Sequence, residues 1–181
     1  MIKLETERLI LREPVIEDAD QITLYNTEKE FWQYTTIPVV PPSIEGTKDF
    51  LQSCIDENAQ DPRSLYYFVL VDKALDQVIG DMRFKIEHHD AGIAEFGYGL
   101  NPAIHGKGYM TEALREILRF GFEDMQMNRI HAVTYPENIG SIKVMEKCGM
   151  THEGTLRQNE YVRGTLFDEM YFSILKDEYT K

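Results

Sequence analysis

Two glycines one residue apart, in His105-Gly106-Lys107-Gly108-Tyr109-Met110, stand between a strand-like run that ends at Leu100 and an amphipathic helix. Glycine tolerates positive φ and places no side chain between the backbone and a ligand. A helix that begins there aims unpaired N–H groups and the positive end of its dipole at the loop. That combination suits a phosphate or pyrophosphate, with a plain structural turn as the competing reading. A Walker loop needs G-x-x-x-x-G-K-[ST], which the chain lacks, and a dinucleotide fingerprint needs Gly or Ala where Thr111 stands. The chain must therefore fold around a strand–loop–helix step, and the step suits a phosphate-bearing cofactor of neither of those two types.

Hydropathy periods set the elements on either side. Met110, Ala113, Leu114, Ile117, Leu118 and Gly121 form one apolar stripe, which predicts a helix over 109–125. Residues 4–12 read as one strand ended by Pro14, and 16–26 as a short helix. Phe31, Trp32 and Tyr34 lead into Pro38, Pro41 and Pro42, so 28–43 reads as a loop carrying exposed aromatics. Phe50, Leu51, Cys54 and Ile55 recur at helical spacing within 44–58. Tyr66 to Val71 suits a buried strand, with a turn at Asp76-Gln77 leading to its partner over 78–86. A second turn at 88–92 leads to a strand over 93–100. A strand over 130–134 follows, then a helix over 138–147 with Val144 inward and Gly149 just past its end. Two strands joined at 162–165 and ending near Leu175 complete the chain. The sum is α+β, with a mixed, mostly antiparallel sheet in a single domain over 1–181.

Composition removes several functions. No run of about 18 apolar residues exists, so no membrane partner is expected. The first residues lack the apolar stretch of a signal peptide, and Cys54 and Cys148 show no CxxC spacing. Both observations suit a cytoplasmic protein with reduced thiols. Lys plus Arg at 19 against Asp plus Glu at 31 gives a net charge of −12. That balance disfavours nucleic acid and attracts cations, among them protonated primary amines. The five histidines show no metal spacing, and His88 and His89 are adjacent in a turn, so no metal is expected.

The stretch from Ala94 to Met150 resembles the core of the GNAT acetyltransferase superfamily, especially its ribosomal-protein N-terminal acetyltransferase branch of the RimJ/RimL type. Ala94-Glu95-Phe96-Gly97-Tyr98-Gly99-Leu100 looks like the family's fourth strand, and Gly106 to Ala113 like its pyrophosphate loop and helix. Asn128-Arg129-Ile130-His131-Ala132 matches the start of its fifth strand. Asn138-Ile139-Gly140-Ser141 with Glu146 to Met150 matches its Asn-x-x-Ser helix and the end of that helix. The opening Leu4-Glu5-Thr6-Glu7-Arg8-Leu9-Ile10-Leu11-Arg12 and the late Gly154-x-x-Arg157 also fit the branch. The resemblance implies a twisted sheet of about seven strands flanked by about four helices, with the fourth and fifth strands splayed. It also implies acetyl-CoA as co-substrate and an amine acceptor, a protein N-terminus or a small molecule. Self-association into a homodimer is left open.

By the same resemblance His105, Gly106, Lys107, Gly108, Tyr109 and Met110 would hold the pyrophosphate, although His105 and Met110 depart from the usual side chains. Tyr98 and Leu100 would pair with the pantetheine arm through their main chain, and Gly97 and Gly99 fit a bulge or a close approach there. Asn138 would orient the arm and Ser141 would protonate the leaving thiolate; Asn138 also makes a good N-cap. Many relatives use a Tyr acid where Met145 stands, which raises the weight on Ser141. Glu95 is the candidate base, with a strand-face salt bridge as the alternative. An acetyl-Cys148 intermediate is rejected, because a helix C-terminus disfavours a thiolate. Phe31, Trp32 and Tyr34, with Tyr161 and Phe167, could line an acceptor cleft, or the first three could form a satellite apolar cluster. The competing functions are small-molecule detoxification of an antibiotic or aminoacyl conjugate, and a non-catalytic acyl-CoA-binding regulatory module.

Overall fold

The structure, a computed structural model, describes residues 2–34, 43–162 and 164–179. Strands β1 (Lys3–Glu5) and β2 (Leu9–Arg12) come first, followed by a 3-10 turn (Ile16–Asp18) and helices α1 (Ala19–Asn26), α2 (Lys29–Trp32) and α3 (Ile44–Asn58). Strands β3 (Leu65–Asp72), β4 (Gln77–His88) and β5 (Ile93–Leu100) lead to helix α4 (Tyr109–Arg119). Strand β6 (Arg129–Thr134), helix α5 (Ile139–Lys147) and strands β7 (Thr151–Val162) and β8 (Thr165–Leu175) close the chain. The strands form an eight-stranded sheet in the order β1-β2-β3-β4-β5-β6-β8-β7. The β5–β6 pair is parallel, whereas β1–β2, β2–β3, β3–β4, β6–β8 and β7–β8 are antiparallel. The expected α+β class and mixed sheet are borne out, with eight strands and five α-helices among the described residues.

The extra strand has a local cause. The Leu9 N–H donates to Thr6 Oγ1 at 2.9 Å and the Thr6 N–H to the Leu9 carbonyl at 3.0 Å. This turn folds 4–12, expected as one strand, back on itself, with Leu4 opposite Leu11. The extra helix is the short α2, where a loop was expected; the prolines behind that expectation, at 38, 41 and 42, lie outside the described residues. The long helix expected over 109–125 is α only to Arg119 and continues as a π-helix over Phe120–Asp124. In α5 the deeply buried side chain is Met145, at 1% exposure, and Val144 is only half-buried.

Contacts cluster the chain into two compact units, Met1–Lys85 with Tyr98–Tyr109 and Ile86–Gly97 with Met110–Lys181. The first has a core of Ala19, Ile22, Tyr25, Leu51, Cys54, Tyr67, Val69, Val71 and Val78, edged by Phe31 and Phe50. Helix α3 starts cleanly because the Ser43 hydroxyl accepts the Gly46 N–H at 3.0 Å. Asp18 is buried without being left alone: Arg12 grips both carboxylate oxygens, at 2.6 and 2.7 Å, and the Val15 N–H donates to it. Such forked pairs are the strong form of charged hydrogen bond.

The second unit buries the α4 stripe Met110, Ala113, Leu114, Ile117 and Leu118, and emptying one of these larger aliphatic positions to Ala would cost about 2–5 kcal/mol. Its outer strand β7 is mostly exposed, and its pairing with β8 slips between His152 and Gly154 and again between Leu156 and Glu160. Gln158 lies in the second slip with a left-handed φ of 52°. No helix among the described residues is long and apolar enough to cross a membrane.

Candidate active site

In the first unit the glycine loop has the backbone its sequence implies. Gly106 and Gly108 have φ of 78° and 82°, left-handed values that side chains disfavour. The position of a Gly106 Cβ has no atom within 4 Å, so the loop surface there is open. Lys107 is exposed, and its carbonyl accepts Nη1 of Arg8 at 3.0 Å. The Arg8 guanidinium lies 4.4 Å above the Tyr109 ring, and the Tyr109 hydroxyl donates to Asp72 at 2.5 Å. Asp72 also accepts the Ala74 and Leu75 N–H groups, at 2.8 and 3.1 Å. The Tyr109 bond above all, then the backbone bonds and Arg8, hold its carboxyl below the usual range against the opposing effect of burial.

At the end of β5, Tyr98 and Leu100 are half-buried, and His105 Nε2 lies 3.1 Å from the Leu100 carbonyl. That imidazole, a departure from the family pattern, thus has a place beside the strand. The backbone at Gly99 is approached closely by a side chain: a Cβ there would stand 2.8 Å from Phe31 Cζ and 3.1 Å from Asp81 Oδ2. Phe31 and Trp32 are half-buried, which corrects the expectation of exposed loop aromatics. Phe31 packs on Tyr25 and Trp32 at ring distances of 5.3 and 5.2 Å, and the Trp32 indole N–H donates to the Asn26 carbonyl. The Tyr34 hydroxyl accepts Gln33 Nε2 at 2.9 Å.

In the second unit β5 and β6 are joined over three pairs, Ile93–Arg129, Ala94–Ile130 and Glu95–His131. The ladder ends at Glu95, although β5 runs on to Leu100 and β6 to Thr134. Glu95 is half-buried at that last rung, and His131 opposite it reaches Glu87 through Nε2 at 2.8 Å. Asn138 and Ser141 are brought together: Asn138 Oδ1 accepts the Ser141 N–H at 3.1 Å, so Asn138 is the N-cap of α5. Ser141 is half-buried on the first turn, and Met110 is buried at 5% exposure. Burial pushes the Cys148 thiol up to about 11, and its Sγ faces the Thr111 carbonyl at 3.6 Å. A neutral thiol at pH 7 is a poor nucleophile. Tyr161 is 69% exposed, whereas Phe167 packs at a tilt against Tyr135 with 4.8 Å between ring centres.

Sequence reasoning missed Asp81. It is half-buried on β4, and desolvation raises its carboxyl to about 7, although the Tyr67 hydroxyl donates to it. A carboxyl that titrates near neutrality marks a candidate functional residue. The available signal was one charge inside the apolar run Val78-Ile79-Gly80-Asp81-Met82. Arg8 and Asp72 were also missed, since nothing in their local sequence ties them to a loop some 30 to 100 residues away.

Comparison with known proteins gives the family and the fold. Residues 8–151 match the model of the acetyltransferase (GNAT) domain. The chain is 35% identical to the N-acetyltransferase p20 of Bacillus licheniformis over 179 residues, covering 99% of each chain. Among solved structures, a GNAT-family acetyltransferase from Bacillus anthracis matches with a TM-score of 0.84 and 27% identity, over 97% of this chain and 99% of that one. The ribosomal L7/L12 α-N-protein acetyltransferase RimL, in complex with coenzyme A, shares the fold with a TM-score of 0.86 at 19% identity, over 98% of this chain and 100% of that one.

Proposed function

From a chain that belongs to the GNAT acetyltransferase family, we propose an enzyme that moves an acetyl group from acetyl-CoA directly to a primary amine, with 1–181 acting as one catalytic domain. The observation that carries this reading is the 106–108 loop, with both glycines left-handed and an 11-residue helix directly behind it. Its N–H groups and the helix dipole suit a pyrophosphate. In the proposed reaction the amine attacks the thioester carbonyl, a C–N bond forms, and the C–S bond breaks. Glu95 takes one proton from the ammonium before attack, and the Ser141 hydroxyl protonates the departing thiolate. The second proton, lost by the nitrogen as the amide forms, restores the Ser141 hydroxyl. Asn138 sets the helix turn from which Ser141 projects, and Tyr98 and Leu100 receive the pantetheine arm. The acceptor in this reading is a protein N-terminal α-amine. The opening 4–12 motif and Gly154-x-x-Arg157 support it through their likeness to the RimJ/RimL branch, and the net charge of −12 favours a cationic acceptor.

The test is thiol release from acetyl-CoA over a panel of N-terminal peptides, antibiotics and aminoacyl conjugates. Turnover with peptides first in rank supports the reading, and turnover only with small amines replaces its acceptor. Cofactor binding without turnover on any amine would establish the non-catalytic module instead. Ser141→Ala should lower kcat by about 10²–10⁴-fold while cofactor affinity holds. Wild-type turnover by that variant removes Ser141 from the mechanism. Glu95→Gln should lose rate at neutral pH and regain part of it at high pH, where free amine forms unaided. A ratio to wild type that stays flat with pH would remove Glu95.

A further inference from the structure

The 4–12 motif is distinctive, yet nothing in the proposed chemistry uses it. Its strands explain the leucines, and Asp18 explains Arg12. Arg8 is left over. Its backbone is fixed where the chain enters β2: the Arg8 carbonyl accepts the Lys73 N–H at 2.9 Å, and the next residue, Leu9, stands in register with Asp72. The side chain then returns to the same place by another route. It stacks on Tyr109, whose hydroxyl is held by Asp72. Arg8, Tyr109 and the Asp72–Lys73 corner thus close a ring of contacts.

A ring of this kind fixes the guanidinium before any ligand arrives, and it fixes it against the glycine loop. Nη1 donates to the Lys107 carbonyl, and Nη2 lies 3.6 Å from the point where a Gly108 Cβ would stand. The loop's N–H groups supply only partial charges, in a chain whose net charge of −12 repels phosphates. A fixed, planar cation with several N–H donors is the side chain best matched to phosphate oxygens.

We propose that Arg8 is a cofactor-binding residue that contacts the pyrophosphate held at the 106–108 loop, and that Tyr109 and Asp72 are the positioning residues that aim it. This rests on the acetyl-CoA reading above. It gives the motif a function: the turn at Thr6–Leu9 delivers one arginine to a loop about 100 residues later in the chain.

Calorimetric titration with acetyl-CoA, 3′-dephospho-CoA and S-acetylpantetheine tests it, using Arg8→Met at several salt concentrations. Arg8→Met should weaken acetyl-CoA and dephospho-CoA alike by about 10- to 100-fold, the range of a lost charged hydrogen bond. It should leave S-acetylpantetheine unchanged and flatten the dependence of affinity on salt. Unchanged acetyl-CoA affinity would overturn the proposal. A loss with an unaltered salt slope would reduce Arg8 to a brace, and a loss absent with dephospho-CoA would move the contact off the pyrophosphate; either result overturns it. Arg8→Lys keeps the charge and covers the case in which the Met variant does not fold. It should keep the wild-type salt slope with a smaller loss, and a flattened slope in a folded Lys variant would overturn the proposal. No acetyl-CoA binding by the wild-type protein would instead sink the cofactor reading on which all of this stands.

Discussion

Asp72 and Asp81 belong to the same hairpin, one at the end of β3 and the other in β4, and their carboxyls are shifted in opposite directions. Asp72 is a buried residue, at 2% exposure, and its carboxyl is nonetheless held below the usual carboxylate range, the Tyr109 hydrogen bond outweighing desolvation. It has three hydrogen-bond donors: two backbone N–H groups and the Tyr109 hydroxyl. Asp81 has the Tyr67 hydroxyl, with the Phe31 ring beside it over Gly99, and is raised to about 7. Desolvation wins at Asp81, where one hydroxyl opposes it, and the three donors win at Asp72; the balance of the two decides whether the ionised form survives. One aspartate ties a turn to the residue that follows the glycine loop as a permanent anion, and the other is left ready to titrate near neutral pH.

The contrast can be broken most forcefully at Asp72. Asp72→Ala strands the Ala74 and Leu75 N–H groups and the Tyr109 hydroxyl, and should cost about 3 kcal/mol in urea unfolding. A loss under about 1 kcal/mol would show that the turn is held by other means.

Asp81→Asn comes next, and its signature is in the pH dependence. The native state prefers protonated Asp81, whereas the unfolded chain releases that proton near pH 3.9. Between about pH 4 and 7 the native state therefore binds more protons, so this group makes stability fall as pH rises, and levels off above 7. Tyr25, Tyr67 and Cys54, which interact with it, are all shifted upward by burial and do not titrate in that window. Relative to wild type, Asp81→Asn should gain about 2 kcal/mol between pH 4 and 7, allowing for water at a half-buried carboxyl. Parallel stability curves would show that Asp81 is ionised throughout.

The smallest effect is expected from Tyr109→Phe, about 1 kcal/mol for one hydrogen bond. The Tyr109 bond is the largest of the causes lowering Asp72, so the Asp72 carboxyl should titrate higher in this variant by NMR. No movement would leave the backbone donors as the whole cause.

The contrast also shows what could be read from the sequence. Helix α3 and strand β5 have the predicted bounds, because an unbroken apolar period and flanking turn residues fix such elements locally. The glycine loop was legible for the same reason: its φ values are a property of two residues. The Asn138–Ser141 step was legible because a cap acts across one turn. Asp81 was not, since its proton affinity depends on Phe31, Tyr67 and Gly99, which lie up to 50 residues away in sequence. The β1–β2 reversal was hidden because one threonine hydroxyl made the turn, without the Gly or Pro that announces most turns.

Strand β7 has a consequence for how this protein lives among copies of itself. An outermost strand normally presents a ladder of amide groups that any passing chain can extend, and that is how sheets polymerise. Here the two slips against β8, with Gln158 turned left-handed in the second, break that ladder into short lengths. Glu153, Arg157 and Glu160 add charge along the same strand, and Glu153 is fastened to Arg129 at 2.5 Å. The irregular rim thus works against the addition of further strands at this edge of the sheet.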